Sequence, residues 1–253
     1  MTIIGWGAEV EGVMNDPEGF LSLYPDIDLE FVITDRNSLV QRASVMAAGG
    51  IAPDLIWTDD GVIVELGTLG IVEPLAPYVE RYGMDLSDYA PTISGEYGGE
   101  LLALPGYALW NFDYTAQVTP AGKAGQIPKF ITNGWAISKD SNHKEAAWKF
   151  IEWYMSPEQQ FDMVTKDMMP AYIPAVYELF AHGHSRDIME AFLRTFELAA
   201  LGKPVPQNTA EVLAFNVVTG AMSQVLNGIN PSAADALNSV KDQVRATLAG
   251  NHQ

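Results

Sequence analysis

Residues 29–57 read LEFVITDRNSLVQRASVMAAGGIAPDLIW. Two β-rich runs, Leu29–Thr34 and Pro53–Trp57, bracket Ser38–Ala48, where Leu39, Ala43, Val45 and Met46 recur near helical spacing and Gly49-Gly50 supplies the stop. The pattern predicts strand, helix, strand. Upstream, Thr2–Trp6 reads as another strand and Pro17–Leu23 as a short helix; downstream, Gly61–Leu69 and Pro74–Tyr82 read as helical. Strands alternating with helices at this spacing predict right-handed βαβ units and a parallel sheet.

Residues 83–100 are turn-rich, with Gly83, Pro91, Gly95, Gly98 and Gly99. Leu101–Ala108, Phe112–Thr119 and Phe130–Ser138 return to strand character, and Pro120–Pro128 reads as a loop. Beyond Ser138 the periodicity turns helical: Lys144–Met155, Pro157–Thr165, Asp187–Leu201, Thr209–Leu226 and Ser232–Leu248 all read as helices, with Thr209 and Ser232 as N-caps. Five or six strands are expected, all before residue 140, which makes one sheet and not two.

The 253 residues are 48% hydrophobic with 10% aromatics, enough for a packed core. Lys and Arg number 14 against 32 Asp and Glu, a net charge of −18. Such a chain is unsuited to nucleic acid, whose binding rests on cationic contacts to phosphate, and is repelled by anionic lipid. The charge is uneven. Residues 1–122 hold 19 acids and only Arg36, Arg42 and Arg81 as bases, whereas residues 123–253 hold 13 acids and 11 bases. A solvated acidic face accounts for this asymmetry. There are no cysteines, so disulfides, thiolate metal sites and cysteine catalysis are excluded. No run approaches the ~18 apolar residues of a membrane span, and no basic-then-apolar leader precedes the first strand.

Gly5-Trp6-Gly7 after the first strand starts like a dinucleotide fingerprint, with Asp35 at the end of the second strand placed for a ribose. The third glycine would have to be residue 10, which is Val10. The histidines His143, His182, His184 and His252 lack metal-ligand spacing, and no serine sits in a nucleophile elbow. Neither a metal nor a cofactor is expected. More informative is what falls at strand ends, which form the ligand crevice of an open parallel sheet. Glu9, Glu11, Asp59 and Asp60 lie just past the first and third strands. Trp6, Trp57 and Trp135 are expected at or beside strand C-termini, and Tyr107 and Trp110 at the break after the fourth strand. Carboxylates there suit hydrogen bonds to sugar hydroxyls, acid–base chemistry or plain solvation. Aromatic faces suit sugar rings or ordinary packing.

Several segments in order resemble the carbohydrate-binding extracellular solute-binding proteins of ABC importers, the maltose-binding-protein-like type. They are Phe20–Asp26 (FLSLYPD), Leu39–Trp57, Leu69–Leu75 (LGIVEPL), Gly99–Pro105 (GELLALP), Asn133–Gln159 (NGWAISKDSNHKEAAWKFIEWYMSPEQ) and Met169–Ala175 (MPAYIPA). The resemblance implies a periplasmic-binding-protein-like α/β lobe, a mostly parallel sheet flanked by helices, followed by an all-helical C-terminal segment. It also implies non-catalytic capture of a mono- or oligosaccharide, an ABC permease as partner, and a periplasmic or extracellular location. The family continues after its LP hinge into a second α/β lobe, whereas here Ala108-Leu109-Trp110 leads almost directly to Phe112. The expected division is therefore 1–108 with 129–170 as the lobe, 109–128 as a junction from which most of the second lobe is missing, and 171–253 as the helical segment. Candidate ligand contacts are Glu9, Trp57, Asp59, Asp60, Tyr107, Trp110, Trp135 and Tyr172. Loss of a lobe predicts weakened binding and leaves apolar helix faces that a homodimer would cover. The alternatives are a minimised single-lobe scaffold that binds nothing, and a carbohydrate-active hydrolase using Asp59 or Asp60.

Overall fold

The computed structural model describes residues 1–7, 10, 18–90, 95–108, 132–165, 169–181, 209–229 and 232–249. The Phe112–Thr119 strand, the Asp187–Leu201 helix and the 109–128 junction of the sequence reading lie outside these described residues. The chain divides into two compact units, Met1–Pro204 and Val205–Gln253.

The first unit is built on a six-stranded sheet. Its strands are β1 (Thr2–Gly5), β2 (Glu30–Ile33), β3 (Leu55–Thr58), β6 (Leu104–Ala108), β7 (Thr132–Ile137) and β8 (Met169–Pro170), in the spatial order β2-β1-β3-β7-β6-β8. The short strands β4 (Glu96–Tyr97) and β5 (Glu100–Leu101) form a separate hairpin. β1 pairs parallel with both β2 and β3, while β7 lies antiparallel to β3 and to β6, and β8 antiparallel to β6. Following these directions, β1, β2, β3 and β6 all run the same way, four strands of six, so the sheet is α/β and parallel-rich, as read from the sequence, although three of its five neighbour pairs are antiparallel. The strand count is corrected: the described residues hold eight strands in two sheets, not five or six in one, because β4 and β5 form their own hairpin within the turn-rich stretch and β8 falls after residue 140.

The helices of this unit are α1 (Glu18–Leu23), α2 (Arg36–Ala48), α3 (Asp60–Thr68), α4 (Ala76–Tyr82), α5 (Lys144–Tyr154), α6 (Pro157–Thr165) and α7 (Ile173–Ala181). Local chemistry explains their limits. Asp35 caps α2 by accepting from the Ser38 amide at 3.0 Å. Past its end, Gly50 takes φ +75° and the Ile51 amide donates back to the Met46 carbonyl at 3.0 Å. Pro157 opens α6 at the position where an orphan amide would otherwise stand.

Both faces of the central strands are buried; every residue of β3 is. Register decides which side chain goes where. Ile3 pairs with Leu55, Leu55 with Ile137, and Trp57 with Trp135. These side chains share one face with Phe20 of α1 and with Trp148, Phe150, Ile151 and Tyr154 of α5 in a single hydrophobic cluster. Trp57 and Trp135 stand 4.6 Å apart between ring centroids, and Phe150 meets Trp135 edge-on at 5.1 Å. Ile4, Ile56 and Ala136, also buried, alternate to the other face.

The second unit is a helical hairpin of α8 (Thr209–Leu226) and α9 (Ala233–Ala249), turned by Gly228 at φ +69°. Ser232 Oγ accepts from the Asp235 amide at 3.2 Å, which makes it the N-cap of α9.

Candidate functional site at the strand ends

The forward-running strands end together on one rim of the sheet. There stand Trp6 and Gly7 after β1, Thr34–Arg36 after β2, Thr58–Asp60 after β3, and the first residues of β7, Thr132 and Asn133. Gly5 is demanded by packing. A Cβ there would lie 2.6 Å from the Trp57 Cβ and 2.7 Å from Val10 Cγ2. The glycine thus serves the core. Val10, where a dinucleotide fingerprint needs its third glycine, is fully buried.

Asp59 organises the rim. It is the N-cap of α3, and its Oδ1 accepts from the amides of Gly61 at 2.9 Å and Val62 at 2.8 Å. Arg36 Nε meets Asp59 Oδ2, and Arg36 Nη2 donates to Asp59 Oδ1 at 2.9 Å. This bidentate pair ties the β2–α2 junction to the β3–α3 junction. The Asp59 side chain is 9% exposed and that of Arg36 34%. Both carboxylate oxygens are therefore committed to structural bonds. That arrangement positions a helix; it does not leave a carboxyl free to shuttle protons or to meet a sugar hydroxyl. Asp60, on the first turn of α3, is also buried. Nearby, burial pushes the Glu65 carboxyl up, against the downward pull of the Arg36 guanidinium. Sequence reasoning missed Arg36. Its signal was present: it is one of three bases in the first 122 residues and directly follows a strand end.

The other candidates fall in different places. Trp57 is fully buried and Trp135 is 1% exposed, so the structure seats both indoles in the core and not on a ligand face. Trp6 is half-buried against the same core. Tyr107 occupies β6 opposite Asn133 and Pro170, close to the rim. Tyr172 lies two residues beyond Pro170, and because β8 runs away from the rim it sits lower on the sheet edge. Its ring packs against Tyr89 at 5.1 Å and Phe161 at 5.8 Å. Glu9, Glu11 and Trp110 lie outside the described residues. At the end of β3 a cavity of about 10 Å3, lined by Thr58, Asp59, Pro105 and Gly134, has room for one water. Among the described residues no group of three His, Asp or Glu could hold a metal ion, and no helix is long and apolar enough to cross a membrane.

Comparison with known proteins gives three results. Residues 93–161 match the family described as bacterial extracellular solute-binding protein. No curated protein sequence matches the chain. Solved structures match over the whole length. The sugar-binding protein MalE of Xanthomonas citri aligns over 99% of this chain and 98% of its own, with TM-score 0.73 and 14% identity. An ABC substrate-binding protein of Listeria monocytogenes in complex with cycloalternan aligns over 98% of both chains, with TM-score 0.74 and 15% identity. Maltose-bound MalE3 of T. maritima aligns over 97% of this chain and 98% of its own, with TM-score 0.70 and 14% identity. Residues 93–161 thus match the bacterial extracellular solute-binding family, and the chain as a whole has the fold seen in sugar-binding ABC substrate-binding proteins.

Proposed function

We propose that the chain captures a carbohydrate without altering it, as the substrate-binding component of an ABC-type uptake system outside the cytoplasmic membrane, with binding weakened by a reduced second lobe. The observation that carries this reading is the rim. Strands of one direction end together there beside polar side chains on helix N-termini, in a chain whose residues 93–161 match the bacterial extracellular solute-binding family. The non-catalytic part rests on Asp59, whose two oxygens are both engaged. The reduced lobe is supported by the strand count. The described residues form one large sheet, and only residues 109–131 separate β6 from its hydrogen-bonded neighbour β7. The near-complete coverage of the structural relatives counts against it. The homodimer rests on the exposed Leu213, Ile229, Leu237 and Leu248 of the second unit.

The test is a thermal-shift titration against maltose, maltopentaose, acarbose and tagatose, with reducing-sugar release followed in parallel. A ligand at 100 times its dissociation constant adds about 2.7 kcal/mol, several degrees of midpoint for a chain of this size. A saturable shift with one sugar class and no turnover is expected. A cooperative melt that no sugar moves would leave the scaffold reading in its place, and turnover lost in Asp60→Asn would establish a hydrolase.

A further inference from the structure

A groove of about 390 Å3 lies between α1 and the turn joining α5 to α6, and none of the rim residues lines it. The volume is that of a small-ligand site, about 300–1,000 Å3. Gly19 forms part of one wall and Trp153 and Gln159 part of the other. Gly19 stands inside α1 and is not among the glycines with positive φ, so its backbone does not call for glycine. A Cβ built on it would lie 3.4 Å from Trp153 Cζ2, 3.7 Å from Trp153 Nε1 and 3.9 Å from Gln159 Nε2. These are ordinary contact distances. An alanine methyl fits there, and it would occupy the point towards which two N–H-bearing nitrogens converge.

The surroundings of that point define a ligand. Trp153 is held against Phe20 at 5.5 Å and Phe150 at 5.4 Å, so its indole is a fixed surface and not a mobile one. Glu152 and Glu158 supply acceptors, and Ser22 supplies a hydroxyl. The charged side chains lining the groove are Glu152 and Glu158, and Lys149 stands beside it over the Tyr24 ring at 5.1 Å, so the two carboxylates outweigh the one cation and disfavour an anionic ligand. Converging donors, flanking acceptors and an aromatic surface match the alternation of hydroxyl rim and C–H face on a neutral sugar ring. We propose that this groove is a second binding site for a neutral saccharide unit, independent of the strand-end rim.

The experiment follows the indole N–H resonance of Trp153 in 15N–1H correlation spectra, assigned by its loss in Trp153→Phe, during titration with maltose and methyl α-glucoside. A saturable shift of that resonance is expected. Gly19→Ala places a methyl where the donors converge and improves helix propensity, so it should melt no lower than the parent while weakening the titrated affinity at least tenfold. An unmoved Trp153 resonance overturns the proposal. So does an unchanged dissociation constant in Gly19→Ala, or a shift produced by choline chloride and not by the sugars. Asp60→Asn separates the two sites. It changes binding at the rim and leaves the Trp153 titration as it was, so failure at one site is not failure at the other.

Discussion

Removal of the Asp54 carboxylate tests how the opposite end of the sheet is held. Asp54 opens β3, and its side chain is 5% exposed. Its Oδ2 accepts from the Thr2 amide at 2.7 Å, which fixes the start of β1. Its Oδ1 accepts from Ser141 Oγ at 2.5 Å, which fixes the loop after β7. His143 Nδ1 stands 3.2 Å from Oδ1, and the His143 amide donates to Ser141 Oγ at 2.9 Å, which sets the start of α5. Hydrogen bonds to a charged acceptor contribute about 1.5–3 kcal/mol each. The His143 side chain is 61% exposed, so water replaces its contact at little cost. The two shorter bonds remain, about 3–6 kcal/mol. Water entering the vacated space favours the lower end, so Asp54→Ala should cost about 3 kcal/mol, or about 6–12 °C of midpoint at this chain length. Asp54→Asn keeps an acceptor for Thr2 and can donate to Ser141 Oγ, so it loses mainly charge assistance, about 1–2 kcal/mol. His143→Ala should cost under about 1 kcal/mol. Urea unfolding followed by tryptophan fluorescence measures all three. A loss below about 1 kcal/mol in Asp54→Ala would refute the reasoning, because the network would then contribute no more than an exposed polar contact. Equal losses in Ala and Asn would place the stabilisation in the charge and not in the bonds.

Two further outcomes are expected. Gly5→Ala forces a methyl to within 2.6 Å of the Trp57 Cβ and 2.7 Å of Val10, so it should lower stability by about 1–3 kcal/mol in the same urea assay, with near-UV dichroism of the tryptophans altered. Tyr89 donates its hydroxyl to the Met155 carbonyl, and burial, followed by the fields of Tyr172, Asp88 and Asp85, raises its pKa from the model-compound value of 10.0 to about 12. A phenol whose folded pKa is raised stabilises fully below pH 10 and loses that contribution as pH rises through 12. Melting midpoints should therefore fall between pH 10 and 12, and Tyr89→Phe should flatten that limb while lowering the neutral midpoint slightly. An alkaline limb unchanged in the variant would reject the assignment.

Where the fold was legible, hydrophobic period and turn chemistry agreed. β2, α2 and β3 follow from LEFVIT, the spacing of Leu39 and Ala43, and the Gly49-Gly50 stop. What escaped was short or masked by proline. β8 is two residues long, Met169-Pro170, and carries no period at all. α7 begins Ile173-Pro174, which reads as a loop; yet proline in the first helical turn forfeits no hydrogen bond, so the helix forms around it. The candidate site was half legible for a related reason. Sequence places Trp57 near the end of β3, but Trp135 falls inside β7, and only register decides the face of either. Trp57 is two residues from Leu55 and opposite Trp135, on the side covered by Phe150 and Tyr154. With both faces of β3 buried, alternation alone offers no inside and outside to choose between.

The charge asymmetry, by contrast, acquires a meaning only in three dimensions. Each of the three bases among the first 122 residues is committed. Arg36 grips Asp59, Arg42 Nη1 donates to the Ile33 carbonyl at 2.9 Å, and Arg81 pairs with Glu145 at 2.8 Å. Arg36 is the base placed at the rim, and it faces Asp59, Asp60 and Glu65 together. Among the described residues, one cation there stands among three carboxylates, an excess of negative charge. Asp59 and Asp60 are buried, so their field is screened by salt less than that of a surface charge. Negative charge of this kind disfavours an anionic solute at the rim, in keeping with the neutral carbohydrate proposed above. Under the proposed reading, the acidity that argues against nucleic acid at the level of composition would act at the rim against charged ligands.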